Sequence, residues 1–174
     1  MKPKLLIFIF LALLCGCANT RFLICGIDAK AVKGKNIFAT TLGIATAIGT
    51  HILGHHIAAK LCDVKIEQNG LCEDIDYSNN PSKTDLRWVA RGGFVLQILF
   101  NTALTTYATD SYFTKGFTGA TCLQLLIYDL HNTGENNDFN LIDENSGNGD
   151  LEHGLFILWS SYNFYRISFK GGKP

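Results

Sequence analysis

Long apolar segments alternate with shorter polar ones along the 174-residue chain, and the lengths of the apolar segments are typical of helices. The first covers residues 37–61 and contains no Asp, Glu, Lys or Arg before Lys60. Three further segments of this kind cover residues 85–109, 117–130 and 151–169. The pattern therefore predicts a mainly α fold, a helical bundle of about four helices with a loop-rich excursion after the first.

The polar segments contain the residues that begin and end helices. The polar composition and turn signals of residues 63–81 predict the loop-rich excursion, with a small hairpin near its start as one alternative. Ser82 and Asp85 have the spacing of a capping box, which would begin the second helix. Residues 132–150 are rich in Asn, Asp, Glu and Gly, which predicts a loop, and Asp150 is predicted to cap the last helix.

Within that predicted loop, the spacing of Asp143, Asn145 and Gly147 is faintly similar to a calcium-binding loop. An EF-hand requires Gly at its sixth position and a bidentate Glu at its twelfth, but the twelfth residue here is Gly154. The pattern therefore argues against an EF-hand.

Small residues mark places where helices can approach each other closely. Ala39, Gly43 and Ala47 recur at four-residue spacing in the first helix, and Gly92 and Gly93 interrupt the second. The first helix has more than twenty residues, enough to cross a membrane, but threonines and histidines lower its hydrophobicity. It is therefore either a buried helix of a helical domain or a membrane-embedded helix.

A stripe of polar side chains follows one face of the second helix. Gln97, Asn101 and Thr105 recur at four-residue spacing within an apolar segment. Because buried polar groups need hydrogen-bond partners, the stripe faces either a wet pocket or another helix.

The start of the chain has the features of an export signal. Lys2 and Lys4 precede an apolar run, residues 5–14, that is too short to span a bilayer. The sequence Leu14-Cys15-Gly16-Cys17 then resembles a bacterial lipobox. That resemblance implies a lipoprotein signal peptide at residues 1–16, lipidation of Cys17 and a tether up to residue 36. Ordinary secretion with cleavage at the same place is the alternative.

The lipobox resemblance also implies a location in the cell. Ala18 rather than Asp follows the modified cysteine, which in bacterial lipoproteins favours the outer membrane over the inner one. The expected location is therefore the cell envelope, as an outer-membrane lipoprotein that faces the periplasm and contacts the membrane through its lipid anchor. An integral membrane or secreted protein remains the alternative.

Export to an oxidising compartment would allow the remaining cysteines to form disulfides. Cys25, Cys62, Cys72 and Cys122 allow three pairings. Cys62 and Cys72 flank a short polar segment, so they are the disulfide that the sequence predicts.

The composition excludes one class of partner. Apolar residues make up 47% of the chain, and its formal net charge is zero. Since the sequence contains no basic patch, no nucleic-acid partner is expected. A protein partner is not indicated by any segment.

Two histidines in the first helix are the best candidates for chemistry. His51 and His55 are four residues apart and therefore lie on one helix face, about 40° apart around the axis. Two imidazoles at this spacing are typical of helical zinc sites, which need a third ligand from elsewhere. The candidates are Glu152, preferred because it lies in the first turn of the last helix, and Asp138. Histidines that only pack in a core are the alternative.

The segment His51-Ile52-Leu53-Gly54-His55 resembles the His-Glu-x-x-His helix of zincins and site-2-type metalloproteases. The later order of motifs is similar to a group of exported helical proteins without an assigned activity. These motifs are Gly92-Gly93-Phe94, Asp138-Phe139, Gly147-Asn148 and Glu152. The resemblance implies a zincin-like domain over residues 37–170 and zinc as the possible cofactor.

The departure from that resemblance is Ile52, which replaces the glutamate that deprotonates a metal-bound water. Loss of a general base costs about 10²–10⁴ in rate. The expected function is therefore an envelope lipoprotein that binds a divalent metal with little or no hydrolase activity, a pseudoenzyme. The alternatives are an active zinc metallopeptidase with another base, such as Glu152 or Asp138, and a non-catalytic structural or interaction lipoprotein.

Overall fold

A computed structural model of the chain describes residues 23–24, 27–28, 34–69, 72–130, 138–145 and 148–169. The predicted signal peptide and Cys17 lie outside these residues. Cys25, one of the four cysteines considered for pairing, does so too.

Five α-helices make up most of the described residues, which confirms the predicted mainly α bundle. They are α1 (Gly34–Leu61), α2 (Lys83–Tyr107), α3 (Tyr112–Leu130), α4 (Asp138–Asn145) and α5 (Gly149–Phe169). The prediction of a loop over residues 132–150 is wrong for α4. That helix forms because Phe139, Leu141 and Ile142 lie on a face that packs into the core.

Two short hairpins accompany the helices. β1 (Leu23–Ile24) pairs antiparallel with β2 (Ile27–Asp28), so part of the predicted tether is a hairpin. β3 (Lys65–Asn69) pairs antiparallel with β4 (Cys72–Asp76), which confirms a hairpin in the excursion after the first helix. A turn of 3-10 helix, Tyr77–Asn79, then leads to α2.

Local capping explains where two of the helices begin. The Ser82 hydroxyl accepts from the Asp85 backbone N–H, and the Asp85 carboxylate accepts from the Ser82 N–H, which confirms the predicted capping box. α5 begins differently from the prediction, because the backbone carbonyl of Asn148 accepts the first helical hydrogen bonds. Asp150 therefore lies in the first turn of α5 and is not its cap.

Glycines let α1 contact its neighbours backbone to backbone. Gly54 of α1 faces Gly92 of α2 so closely that a Cβ at either position would overlap the other helix. Gly43 meets the backbone of Phe113 and Phe117 in α3 in the same way. Both close approaches were predicted from the small residues, and they hold α1 between α2 and α3.

The polar stripe of α2 lies against other helices and hydrogen-bonds to them. Gln97 donates to the Ala47 carbonyl of α1 and to Gln124 of α3, at 3.2 and 3.0 Å. Asn101 accepts from Thr118 of α3 at 2.6 Å. Thr105 lies 3.1 Å from Asn163 of α5. The interpretation as a helix–helix interface is therefore confirmed.

The predicted disulfide between Cys62 and Cys72 is not formed, because Cys62 is a free cysteine. The register of the hairpin gives the reason: Cys72 pairs with Asn69 at the turn end, whereas Cys62 precedes the opposite end of β3. The four residue steps of β3 span about 13 Å, and the Cα atoms of a disulfide lie within about 7 Å of each other. Burial, together with the Asp85 carboxylate, raises the pKa of the Cys62 thiol.

Candidate metal centre

α1 directs both histidine rings of the predicted pair into the bundle. His51 and His55 are 4% and 5% exposed, and their Nε2 atoms lie 3.1 Å apart. The four-residue spacing aligns the two side chains along one face, as the sequence predicts. The rest of the site is built around this pair.

Asp138, the first residue of α4, supplies the carboxylate. Its Oδ2 atom lies 3.1 Å from His51 Nε2 and 3.2 Å from His55 Nε2. Asp138 is 8% exposed, so all three side chains are buried together. The structure therefore brings together His51, His55 and Asp138, three of the four predicted metal ligands.

The tautomer of His55 follows from its second hydrogen bond. His55 Nδ1 lies 2.8 Å from the backbone carbonyl oxygen of Val89. A carbonyl can only accept, so Nδ1 carries the proton and the lone pair of a neutral ring is on Nε2, facing Asp138. Metal-binding histidines commonly donate their other N–H in this way, which orients the ring.

The three facing atoms have the separations that a metal ion requires. Ligand atoms about 2.0 Å from a tetrahedral zinc ion lie about 3.3 Å from one another, and the three distances here are 3.1, 3.1 and 3.2 Å. Without a cation or a proton among them, the His55 lone pair and the Asp138 carboxylate would repel each other. Two imidazole nitrogens and one carboxylate oxygen are a donor set that suits zinc.

The carboxylate keeps its charge in this buried place. Burial alone would raise the pKa of Asp138. In the metal-free protein with His55 protonated on Nε2 as well, the positive charge of that ring and the hydrogen bonds from both rings outweigh burial and lower the pKa of Asp138 to about 2. Asp138 is therefore ionised at neutral pH and available as a metal ligand.

Gly93 of α2 makes room for the two rings. A Cβ at this position would overlap His55 Nε2 and lie 2.7 Å from His51 Nδ1. The next residue, Phe94, contacts the His51 ring edge-to-face at 4.7 Å between centroids. Tyr128 of α3 contacts the same ring at 5.9 Å. The rings are thus fixed by a glycine on one side and aromatic side chains on the other.

A small cavity of about 30 Å³ lies beside His55 and Asp138. This is room for about one water molecule. Besides His55 and Asp138, the residues that line it are apolar, among them Ile66 and Ile75, the cross-strand pair of the β3–β4 hairpin. The site thus has space for a fourth, water ligand but no further acid or base among the residues that line the cavity.

Glu152, the preferred third ligand in the sequence, is engaged elsewhere. Its two carboxylate oxygens accept from Nε and Nη2 of Arg91 in a bidentate ion pair. The side chains of Arg91 and Glu152 are 15% and 18% exposed. The preference for Glu152 over Asp138 is therefore wrong, because a helix N-terminus stabilises a carboxylate whether or not a metal is near.

Sequence reasoning missed two contributors to the site. The Val89 carbonyl, which orients His55, carries no signal in the sequence because every residue has one. Gly93 was recognised as a place of close helix crossing, and the structure adds that the atoms it accommodates belong to the histidine rings.

A comparison of the chain with protein-family models, with curated proteins and with solved structures finds no match. The zincin-like resemblance therefore stays a prediction from short motifs. The group formed by His51, His55 and Asp138, which could hold a metal ion, is the observation from which function can be argued.

Proposed function

We propose that this domain binds one divalent metal ion, with zinc as the best fit, through His51, His55 and Asp138. The observation that carries the proposal is the triangle of buried ligand atoms, 3.1–3.2 Å on each side. Zinc is favoured because two imidazoles and a carboxylate with one further position form its usual catalytic-type donor set.

We also propose that the bound metal supports little or no hydrolysis. Ile52 stands where the zincin base would be, and it is only partly buried on the same helix. A water bound to the metal in the neighbouring cavity would face Ile66, Ile75 and Leu141, none of which can accept a proton.

Metal analysis of the purified full chain tests the binding proposal. After purification without added metal, we expect the wild type to retain close to one tightly bound zinc per chain, and we expect its loss in His51→Ala, His55→Ala and Asp138→Asn. His56→Ala is the matched control, because His56 is exposed and is not part of the group. A zinc-free wild type, or equal zinc loss in the control, would mean that the histidines only pack.

Peptidase assays separate the pseudoenzyme from the active metallopeptidase. We expect no chelator-sensitive cleavage by the wild type. Ile52→Glu restores the missing base, so cleavage that appears only in this variant supports the pseudoenzyme. Chelator-sensitive cleavage by the wild type would instead mean that the enzyme recruits another base.

We further propose that the bundle is embedded in a membrane, beyond any lipid on Cys17. Several polar side chains, among them Gln97, Asn101 and Asn163, are buried between helices, whereas large apolar side chains point outward from all four long helices. Examples are Leu53, Leu99, Leu123 and Leu158, which are 53–61% exposed. Among the helices in the described part of the chain, α1 alone is long and apolar enough to span a membrane, and only 22% of its most apolar stretch is buried. Water is a poor solvent for such a surface.

Cysteine labelling in opened membranes tests this location. Leu99 and Glu67 are both exposed in the structure, Leu99 on α2 and Glu67 on the β3–β4 hairpin. Beyond the modification of native cysteines seen in the wild type, we expect a water-soluble maleimide to modify Glu67→Cys and not Leu99→Cys, because lipid covers the second position. Equal modification of both would mean a bundle in water that is held only by its anchor.

A further inference from the structure

A second group of potential ligands lies where α4 meets α5, and we call it the junction cluster: Asp143, Asp150 and His153. Each offers one ligand atom, and these atoms all lie within 4.8 Å of one another. Asp143 comes from α4, whereas Asp150 and His153 are three residues apart and share one face of α5. The cluster shares no ligand with the metal centre.

His153 is a buried side chain whose polar atom faces this cluster without a hydrogen-bond partner. The residue is 5% exposed, and its ring stacks on Phe139 at 3.8 Å between centroids. Its Nε2 atom has no hydrogen-bond partner among the described residues, and Asp143 Oδ1 lies 3.6 Å away, beyond hydrogen-bonding distance. Leaving a buried nitrogen unpaired costs about 1–3 kcal/mol, which a bound ligand would remove.

The carboxylates around His153 carry more negative charge than the described residues neutralise. Asp129 of α3 also interacts electrostatically with His153 and Asp150. No lysine or arginine in the described part of the chain forms an ion pair with Asp129, Asp143 or Asp150. Two carboxylates of the cluster and a third that interacts with it electrostatically thus accompany one imidazole, a balance that favours a cation.

Gly149 sets the position of the Asp143 carboxylate. A Cβ at Gly149 would overlap Asp143 Oδ1 and lie 2.7 Å from Asp143 Cγ. The carboxylate therefore lies directly against the first turn of α5, beside Asp150. Only glycine leaves the space for this arrangement.

We propose that the junction cluster is a second metal site, for a hydrated divalent transition-metal ion held by Asp143, Asp150 and His153. The imidazole argues against calcium and magnesium, which prefer oxygen ligands throughout, and two carboxylates with one imidazole suit Mn²⁺ or Zn²⁺. Asp150 is exposed and the Asp143 side chain is 34% exposed, so water completes the coordination.

The binding stoichiometry of the purified full chain tests this assignment, with Mn²⁺ and Zn²⁺ as probes. We expect two equivalents per chain in the wild type. Asp143→Asn and His153→Gln should each lose the weaker equivalent, whereas His51→Ala should lose only the tighter one. Glu144→Gln is the matched control, because Glu144 is exposed, adjacent to Asp143 and outside the cluster.

Helix content, measured by circular dichroism, identifies any variant that fails to fold. If either Asp143→Asn or His153→Gln fails to fold, the stoichiometry of the other tests the second site. A wild type that binds a single equivalent, all of it lost in His51→Ala, would overturn the second site. So would unchanged stoichiometry in both Asp143→Asn and His153→Gln, since Asp143 would then only cap α5. Failure of the metal centre itself would appear separately, as unchanged metal content in His51→Ala.

Discussion

The metal centre and the junction cluster are made of the same residue types but differ in how far their ligand atoms are preassembled. In the centre, the three atoms lie 3.1–3.2 Å apart, and all three residues are less than 9% exposed. In the cluster, His153 Nε2 is 3.6 Å from Asp143 Oδ1, and both carboxylates reach solvent. A preassembled site binds with less loss of conformational entropy, so the centre should bind metal more tightly.

One short helix supplies a carboxylate to both places. Asp138 and Asp143 are the first and sixth residues of α4, and five residue steps carry a side chain about 140° around a helix axis. Between them, Phe139 contacts Phe94 on one side and stacks on His153 on the other. The orientation of α4 therefore determines the geometry of both sites.

Gly93→Ala should give the largest effect, because the new Cβ overlaps the histidine rings of the centre and leaves the cluster untouched. We expect a loss of about 1–3 kcal/mol in the free energy of unfolding and about 10–100-fold weaker binding at the tighter site. Chemical denaturation and metal titration measure the two effects.

Gly49→Ala is the control for that substitution. Gly49 lies in α1 with no heavy atom within 4 Å of an added Cβ, so the variant should be more stable by about 0.5–1 kcal/mol. Equal behaviour of the two variants would mean that the rings do not lie against α2.

Asp138→Asn should make the stability of the metal-free protein less dependent on pH. The folded pKa of Asp138, about 2, lies below the ordinary value of 3.8. The ionised carboxylate therefore stabilises the fold above pH 3.8, and this contribution, about 2 kcal/mol, is lost as the pH falls towards 2. The stability difference between wild type and variant should shrink over that range. A difference that is constant with pH would contradict the pairing with the histidines.

Glu152→Gln should have the smallest effect and separates a structural carboxylate from a ligand. Loss of one charge of the Arg91 pair should cost about 1 kcal/mol and leave metal binding at both sites unchanged. Glu67→Gln, at an exposed hairpin position, should change stability by less than about 0.5 kcal/mol. Loss of the tighter metal in Glu152→Gln would mean that Glu152 is a ligand of the metal centre.

The parts of the fold that the sequence could predict are those with a long helical pattern. Four apolar segments, the Ser82 capping box and the four-residue spacing of small residues around Gly43 all depend on residues near each other in the chain. The pairing of His51 with His55 is of the same kind, since helix geometry alone places them on one face.

The parts that the sequence could not predict depend on contacts between distant residues. Arg91 and Glu152 are 61 residues apart, and no local pattern indicates that they pair. α4 has only eight residues, too few for its apolar face to appear as a helical period among Asn and Asp. Because the pattern does not reveal α4, it places Asp138 in a loop and favours Glu152, which lies in a recognisable helix.

The hydrogen bonds of Gln97, Asn101 and Thr105 constrain which substitutions the bundle can accept. A shift of α2 by one turn would break all of them at once, and it would also move Gly93 away from the imidazoles. Outward-facing positions such as Leu99 carry no such constraint and can exchange among aliphatic residues. During evolution, the amino-acid sequence of the buried polar interface should therefore change more slowly than that of the exposed apolar surface.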